Sequence, residues 1–238
     1  MRPAYLLLSL ATLAACNAPA PYVTTVGVLK PGATMEVRVT SATVNAYQPE
    51  QKQPRDLFTV QATGLPKVPQ PPTPRLRAGR RGLVVTAPNK LSSLLVRVPD
   101  NVNLVVDSRQ GDVNVTDITG NANVTAGQGN VRLMLPGYAQ ASVANGNLSV
   151  TMGSTDWPGT LRFSTQRGDV ELRINTNAAF DVHLHTDNGT LFTDFGLRGT
   201  SSGNSETIDG AVNGGSSRRV DVETSTGAIR LLRLQPQP

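Results

Sequence analysis

One short pattern recurs between residues 102 and 234, and it constrains the fold more than any other feature of this sequence. Each of its six copies is centred on a glycine, namely Gly111, Gly129, Gly146, Gly168, Gly189 and Gly227. Two positions after the glycine the residue is always Val, Leu or Ile, and four positions after it the residue is apolar in every copy except the fifth, which has Thr193. Alternate side chains of a strand face opposite sides. Each copy therefore predicts two strands with one apolar face, joined by a tight turn at the glycine.

The copies follow one another at intervals of about 20 residues, which is the range of repeat architectures. The last interval, between Gly189 and Gly227, is nearly twice as long. It contains a Gly/Ser-rich insertion, residues 196–217, which is either a loop or a degenerate coil. A two-strand unit cannot bury its apolar face alone, so the copies must stack on one another.

Two stacking arrangements fit this pattern, an antiparallel meander of hairpins and a β-solenoid. Small inward residues such as Ala122, Ala126 and Ala139, and the recurrence of one residue type in each column, favour the solenoid. We therefore predict an all-β fold, a single-chain parallel β-solenoid (β-helix) of about six to seven coils. The solenoid domain is expected at residues 99–234, after a less regular β cap at residues 23–98.

The repeat region resembles the adhesin-like β-solenoid domains of unknown function found in many bacterial envelope proteins. The resemblance lies in the run Leu95–Pro99 followed by Val102–Leu104, in the repeated Gly-Asp/Asn-Val-x-Val/Leu signature, and in the ending from Gly214–Gly215 to Thr224–Leu231. It covers roughly residues 83–234 and implies an adhesive role. Fold-level analogy of this kind says little about activity.

The amino terminus predicts export and anchoring. Arg2 is followed by an apolar stretch, Tyr5 to Leu13, that is too short to span a bilayer. The sequence Leu13-Ala14-Ala15-Cys16 resembles the lipobox of bacterial lipoproteins. That resemblance implies a signal peptide at 1–15, acylation of Cys16, a tether at 16–22, and an extracytoplasmic protein held on the cell membrane or the outer membrane. The alternative is an ordinary secretory signal, and a disulfide is excluded because Cys16 is the only cysteine.

Positive charge is concentrated before the repeat, in a chain of net charge +5. We predict a basic, Pro-rich loop at 64–82, since its prolines disfavour ladder pairing. The candidate anion-binding residues are Lys67, Arg75, Arg77, Arg80 and Arg81. Their partner would be an envelope glycan, an anionic lipid or a surface protein. The alternative, which we favour, is a solvated loop that its charges keep soluble. Nucleic acid is not expected, because no aromatic residues are interspersed among the arginines. Residues 235–238 form a tail.

Two groups of residues bear on chemistry. His183 and His185 share an outer strand face with Asp181 and Asp187. Histidine and carboxylate are suitable ligand types for zinc or copper, but the neighbouring copies of the repeat offer no evident third ligand. We treat this pair as a weak metal candidate and expect no cofactor.

Asp169 and Glu171 also face outward and would suit a glycan-cleaving enzyme, yet the adjacent positions, such as Asn147 and Ser149, add no further acid. We therefore expect a non-catalytic binding or scaffold protein. The alternatives are a glycan-active enzyme and an accessory or sensor component of an envelope-stress system.

Two further features each allow two interpretations. The residue after each glycine is small and polar in five copies, at Asp112, Asn130, Asn147, Asp169 and Thr190, and this column fits either turn chemistry, which we favour, or a hydrogen-bonded ladder. Trp157 either plugs the core at a corner, which we favour, or presents a platform for a sugar.

Overall fold

The computed structural model describes residues 20–48, 54–66 and 70–234. The predicted signal peptide, Cys16, Lys67 and the tail at 235–238 lie outside these ranges. The described residues form strands joined by turns and loops. Within these ranges, no helix has the length and apolar character needed to cross a membrane.

The strands form two sheets, of ten and eleven strands. Their bounds are β1 Tyr22–Val28, β2 Thr34–Val39, β3 Thr43–Tyr47, β4 Leu57–Gly64, β5 Arg75–Ala78, β6 Gly82–Thr86, β7 Leu91–Arg97, β8 Asn103–Gln110, β9 Val113–Thr116, β10 Ala122–Gln128, β11 Val131–Leu135, β12 Ala139–Asn145, β13 Leu148–Met152, β14 Thr160–Arg167, β15 Val170–Asn175, β16 Phe180–Thr186, β17 Leu191–Thr193, β18 Thr200–Ser202, β19 Ser205–Val212, β20 Arg219–Thr226 and β21 Ile229–Leu234.

The repeat stacks in parallel, which confirms the solenoid and excludes the meander of hairpins. In one sheet Val131 pairs with Val113 and with Leu148, and in the other Ala122 pairs with Leu104 and Ala139. Equivalent positions of successive copies are thus directly adjacent. We call one strand from each sheet, with the turn that joins them, a rung.

The described chain forms eight rungs, and their spatial order differs from their order in the sequence at both ends. Along the rod the rungs are β6/β7, β2/β3, β8/β9, β10/β11, β12/β13, β14/β15, β20/β21 and β16/β17. The last strands of the chain, β20 and β21, thus lie between the rungs of Gly168 and Gly189. At the other end the first two rung-forming strands, β2 and β3, lie in the second rung, and the first rung is formed later in the chain by β6 and β7. The number of rungs exceeds the predicted six to seven because residues 34–47 and 82–97 contribute two of them.

Antiparallel strands cover most of the ends of the rod. At the N-terminal end β4 and β1 extend one sheet and β5 extends the other, while β19 and β18 extend the second sheet at the C-terminal end. The structure therefore differs from three predictions. Residues 23–98 are partly cap and partly solenoid, and residues 196–217 contain the β18–β19 hairpin instead of a loop or a coil. Strand β5 also lies within the predicted Pro-rich loop. Its residues follow Pro74, the last proline of that loop, so no proline prevents them from pairing.

The two sheets enclose one core of Val, Leu, Ile, Ala and Phe side chains. Its columns are those predicted from the sequence, with Val113, Val131 and Leu148 all buried. Trp157 is also buried, at 3% exposure, and its ring centroid lies 5.7 Å from that of Phe180. This confirms that Trp157 plugs a corner of the core.

The column after the glycines forms a hydrogen-bonded ladder along the rod. The side-chain oxygen of Asp112 accepts from the Asn130 N–H (2.8 Å), that of Asn130 from the Asn147 N–H (3.0 Å), and that of Asn147 from the Asp169 N–H (2.9 Å). Asp169 in turn accepts from the Ala228 N–H. Our preference for turn chemistry alone was wrong: these side chains bridge rungs, because the parallel register brings each one to the backbone of its neighbour.

Candidate anion-binding groove

The β5–β6 hairpin carries two arginines at its tip. Gly79 N donates to Gly82 O across 2.8 Å, which closes a four-residue turn with Arg80 and Arg81 in its centre. The tip is held against the next rung, since Thr34 N donates to Arg81 O across 3.0 Å. A Cβ atom on Gly82 would lie 2.1 Å from Thr34 O, so only glycine permits this approach.

A groove of about 560 Å³ runs from this hairpin tip across the outer face of the eleven-stranded sheet. The strand register places one row of groove residues side by side, in the order Val84, Glu36, Val105, Asn123 and Gln140. Arg80, Arg81, Asn103, Asn121 and Tyr138 complete its polar lining. The groove thus combines two cations, several amides and an apolar floor.

Hydrogen bonds fix the far part of the groove. The Tyr138 hydroxyl donates to Thr160 O across 3.1 Å, and the Gln140 side-chain amide donates to that same hydroxyl. On the near side, Asn103 accepts from the Asn121 N–H at 3.0 Å. Tyr138 and Gln140 are therefore held by the solenoid before any ligand arrives, which is the property expected of a pre-formed site.

The arginines give the near end of the groove a positive charge. Arg75, Arg77, Arg80 and Arg81 are all exposed, and in the described part of the chain none of the four forms an ion pair. The one acidic side chain in the lining, Glu36, is engaged by Arg38 at 2.6 Å. Four of the five predicted anion-binding residues are thus brought to one edge of the sheet, and the fifth, Lys67, lies outside the described residues.

Sequence reasoning missed the neutral half of the groove. Asn103, Asn123 and Gln140 belong to three different copies of the repeat, and they meet the hairpin only because β2 and β6 stack beside β8. A signal was present in the outward amides of successive copies, but nothing local placed the arginines beside them.

The histidine pair lies at the opposite end of the same sheet. The two rings stack at 6.3 Å between centroids, His183 Nδ1 lies 2.7 Å from Asp209 and His185 Nε2 lies 3.1 Å from Asp187. Across residues 20–48, 54–66 and 70–234, no three His, Cys, Asp or Glu side chains are grouped so that they could hold a metal ion. The weak metal candidate therefore gains no third ligand.

The neighbouring strand adds charge to this face. Arg219 donates to the Asp221 carboxylate, and that hydrogen bond and charge raise the pKa of Arg219 above its ordinary value. The C-terminal end of the sheet thus carries paired charges, in contrast to the arginines of the N-terminal edge.

Both carboxylates of the candidate glycosidase pair are occupied in structural contacts. Asp169 accepts from Ala228 N–H at 2.8 Å, and Glu171 pairs with Arg173 at 2.9 Å. Asp169 thus serves the ladder, and Glu171 pairs with a neighbouring arginine on the same strand.

The profile of the Toastrack DUF4097 family matches residues 100–232, which is more than half of the chain. The chain belongs to the Toastrack DUF4097 family. The Toastrack match leaves out the β2/β3 and β6/β7 rungs and the arginine hairpin, so the groove is built partly from Toastrack residues and partly from the segment that precedes them.

Solved structures that resemble this Toastrack protein include two bacterial proteins. A candidate cell adhesion protein from Clostridium sporogenes is 12% identical, over 89% of this chain and 99% of its own, with a TM-score of 0.48. A candidate adhesin from Bacteroides fragilis is 8% identical, over 88% and 96% of the two chains, with a TM-score of 0.37. No curated protein matches the sequence.

Proposed function

We propose that this Toastrack protein is a lipid-anchored, extracytoplasmic envelope protein with a non-catalytic, adhesin-like binding or scaffold role. Its basic edge, which we define as Arg75, Arg77, Arg80 and Arg81, engages an anionic component of the envelope. The observation that carries this proposal is the position of these exposed arginines at the end of the rod where β1 enters.

The anchor and the basic edge support each other. Tyr22 of β1 follows Cys16 by only six residues, a length that spans at most about 20 Å when extended. An acylated Cys16 would hold the N-terminal end of the rod within that distance of the membrane. Each arginine near an anionic surface contributes about 1 kcal/mol, and two or three acyl chains are sufficient for stable anchoring.

The absence of catalysis is part of the proposal and is supported by the contacts of the candidate acids. Asp169 accepts a hydrogen bond from the Ala228 N–H, and Glu171 forms an ion pair with Arg173. The lining of the groove under the hairpin contains one carboxylate, Glu36, which forms an ion pair with Arg38. Hydrolysis by a carboxylate pair needs two free carboxyl groups facing one bond.

Cosedimentation of the full chain with vesicles tests the role of the basic edge. Neutral vesicles report acyl anchoring alone, while anionic vesicles add the arginine contribution. The Arg75→Ala/Arg77→Ala variant should lose at least about tenfold in affinity for anionic vesicles and nothing for neutral ones. Arg132→Ala/Arg230→Ala removes the same charge from exposed positions on the ten-stranded sheet and is the matched control. Equal losses in both double variants would show that the net charge of the protein, and not the position of the basic edge, sets its affinity for anionic vesicles. That result would contradict the proposal.

A further inference from the structure

We infer that the groove beneath the Arg80–Arg81 tip binds a linear acidic polysaccharide. This rests on the proposed function, because it names the ligand class for one part of the basic edge. It adds the neutral side chains Asn123 and Gln140, which the proposed function does not use.

The direction of the groove fits a chain-like ligand. Its row of residues crosses five neighbouring strands, from β6 through β2, β8 and β10 to β12. With about 4.8 Å between neighbouring strands, the groove extends about 19 Å along the rod. A compact phosphate head group would occupy the arginine end only and leave Asn123 and Gln140 without a partner.

The chemistry of the lining suits a sugar acid. The Arg80 and Arg81 guanidinium groups can bind a carboxylate with paired, charge-assisted hydrogen bonds. The amides of Asn123 and Gln140 each offer a donor and an acceptor, which match the hydroxyl groups of a sugar. Val84 and Val105 line the floor of the groove between the arginines and the amides, and they can contact the apolar C–H face of a sugar ring.

The hairpin backbone and the Gln140 side chain are held before binding, which limits the entropy that the protein loses when a polymer docks. Thr34 holds the hairpin tip through Arg81 O, and Tyr138 holds Gln140 through its hydroxyl. Glu36 lies in the lining but is engaged by Arg38, so the charge it presents to an acidic ligand is offset.

Isothermal titration of the full chain, purified from membranes in a neutral detergent, tests this inference. The probes are short oligogalacturonates, which are linear and acidic, and malto-oligosaccharides of the same length, which are neutral. We expect binding of the acidic series only. Arg80→Ala/Arg81→Ala should weaken it by at least about tenfold, since charge-assisted hydrogen bonds are lost.

Two further variants separate the groove from general charge. Asn123→Ala/Gln140→Ala leaves the charge unchanged and should weaken oligogalacturonate binding about tenfold while leaving binding to anionic vesicles intact. Arg132→Ala/Arg230→Ala, on the other sheet, should change oligogalacturonate binding less than about twofold.

Three outcomes would overturn the inference. The first is no binding of oligogalacturonate. The second is an equal loss of oligogalacturonate affinity in Arg80→Ala/Arg81→Ala and in Arg132→Ala/Arg230→Ala. The third is loss of anionic-vesicle binding in Asn123→Ala/Gln140→Ala, which would assign the groove to a lipid head group. Each of these leaves the comparison of Arg75→Ala/Arg77→Ala with its control on anionic vesicles unaffected, so failure of the groove is distinguishable from failure of the proposed function.

Discussion

The Asp169 side chain accepts a hydrogen bond from Ala228 N–H across 2.8 Å, although 59 residues separate the two in the chain. Thr165 and Thr224 repeat this relationship in the core, with their hydroxyls 2.8 Å apart. Both contacts exist because β20 and β21 lie against β14 and β15. The carboxyl-terminal strands are therefore enclosed between two rungs and do not form the end of the rod.

Hydrogen exchange should show this enclosure directly. The amides of Ile229 and Leu231 lie between β15 and β17, so we expect them to exchange as slowly as those of the central rungs, near the rate set by global unfolding. The amides of the edge strand β18, Thr200–Ser202, should exchange fast. Rapid exchange at Ile229 and Leu231, as in an ordinary fraying terminus, would contradict the rung order.

The ladder of side-chain oxygens should contribute measurably to stability. Asp112→Ala removes the acceptor of the Asn130 N–H and should lower the free energy of unfolding by about 1 kcal/mol. Asp112→Asn keeps an oxygen at the same place and should stay within about 0.5 kcal/mol of the parent. Urea denaturation of the two variants measures the difference, and equal stabilities would show that the ladder is incidental.

The turn glycines should be intolerant of any side chain. Gly146 has a φ of 144°, and a Cβ there would lie 2.0 Å from Gly129 O, so Gly146→Ala should cost at least about 3 kcal/mol. Gly153 is the matched control, because a Cβ there meets nothing within 4 Å. We expect Gly153→Ala to change the unfolding free energy by less than about 1 kcal/mol. Comparable denaturation midpoints for the two variants would be inconsistent with the close approach of successive rungs.

Trp157 should stabilise the corner that it fills. Removing its buried ring in Trp157→Ala should cost about 3–5 kcal/mol, because it leaves a cavity against Phe180. Trp157→Phe should cost less, since it keeps an aromatic contact and the indole N–H has no hydrogen-bond partner among the described residues. Phe192→Ala, at an exposed ring, is the control for loss of an aromatic side chain and should change thermal stability little. A loss in Phe192→Ala as large as in Trp157→Ala would exclude the plug.

Much of the rod could be predicted from the sequence because its information is local. The apolar columns around Gly111, Gly129 and Gly146 fix the strands and their inward faces, and the structure keeps them. The alternation at Met35, Val37 and Val39 likewise gives β2.

The lateral order of the rungs could not be predicted, because every parallel strand offers the same backbone groups to its neighbours. The residues around Gly189 and Gly227 do not indicate which of these two rungs lies next to the rung of Gly168. The groove could not be predicted for the same reason, because Arg80 and Asn103 line one groove only through the placement of β2 and β6. The ladder is an intermediate case: its Asp and Asn column is visible in the sequence, but its bonds depend on the register.

Anchoring through Cys16 is the premise that places the rod and its basic edge on a membrane, and labelling with radioactive palmitate measures it most directly. The full chain expressed in a bacterial host should incorporate label and remain with membranes after a high-salt wash. Cys16→Ala, which lacks the only thiol of the chain, should incorporate none. A parent protein that stays unlabelled, or label that persists in Cys16→Ala, would contradict the lipid anchor.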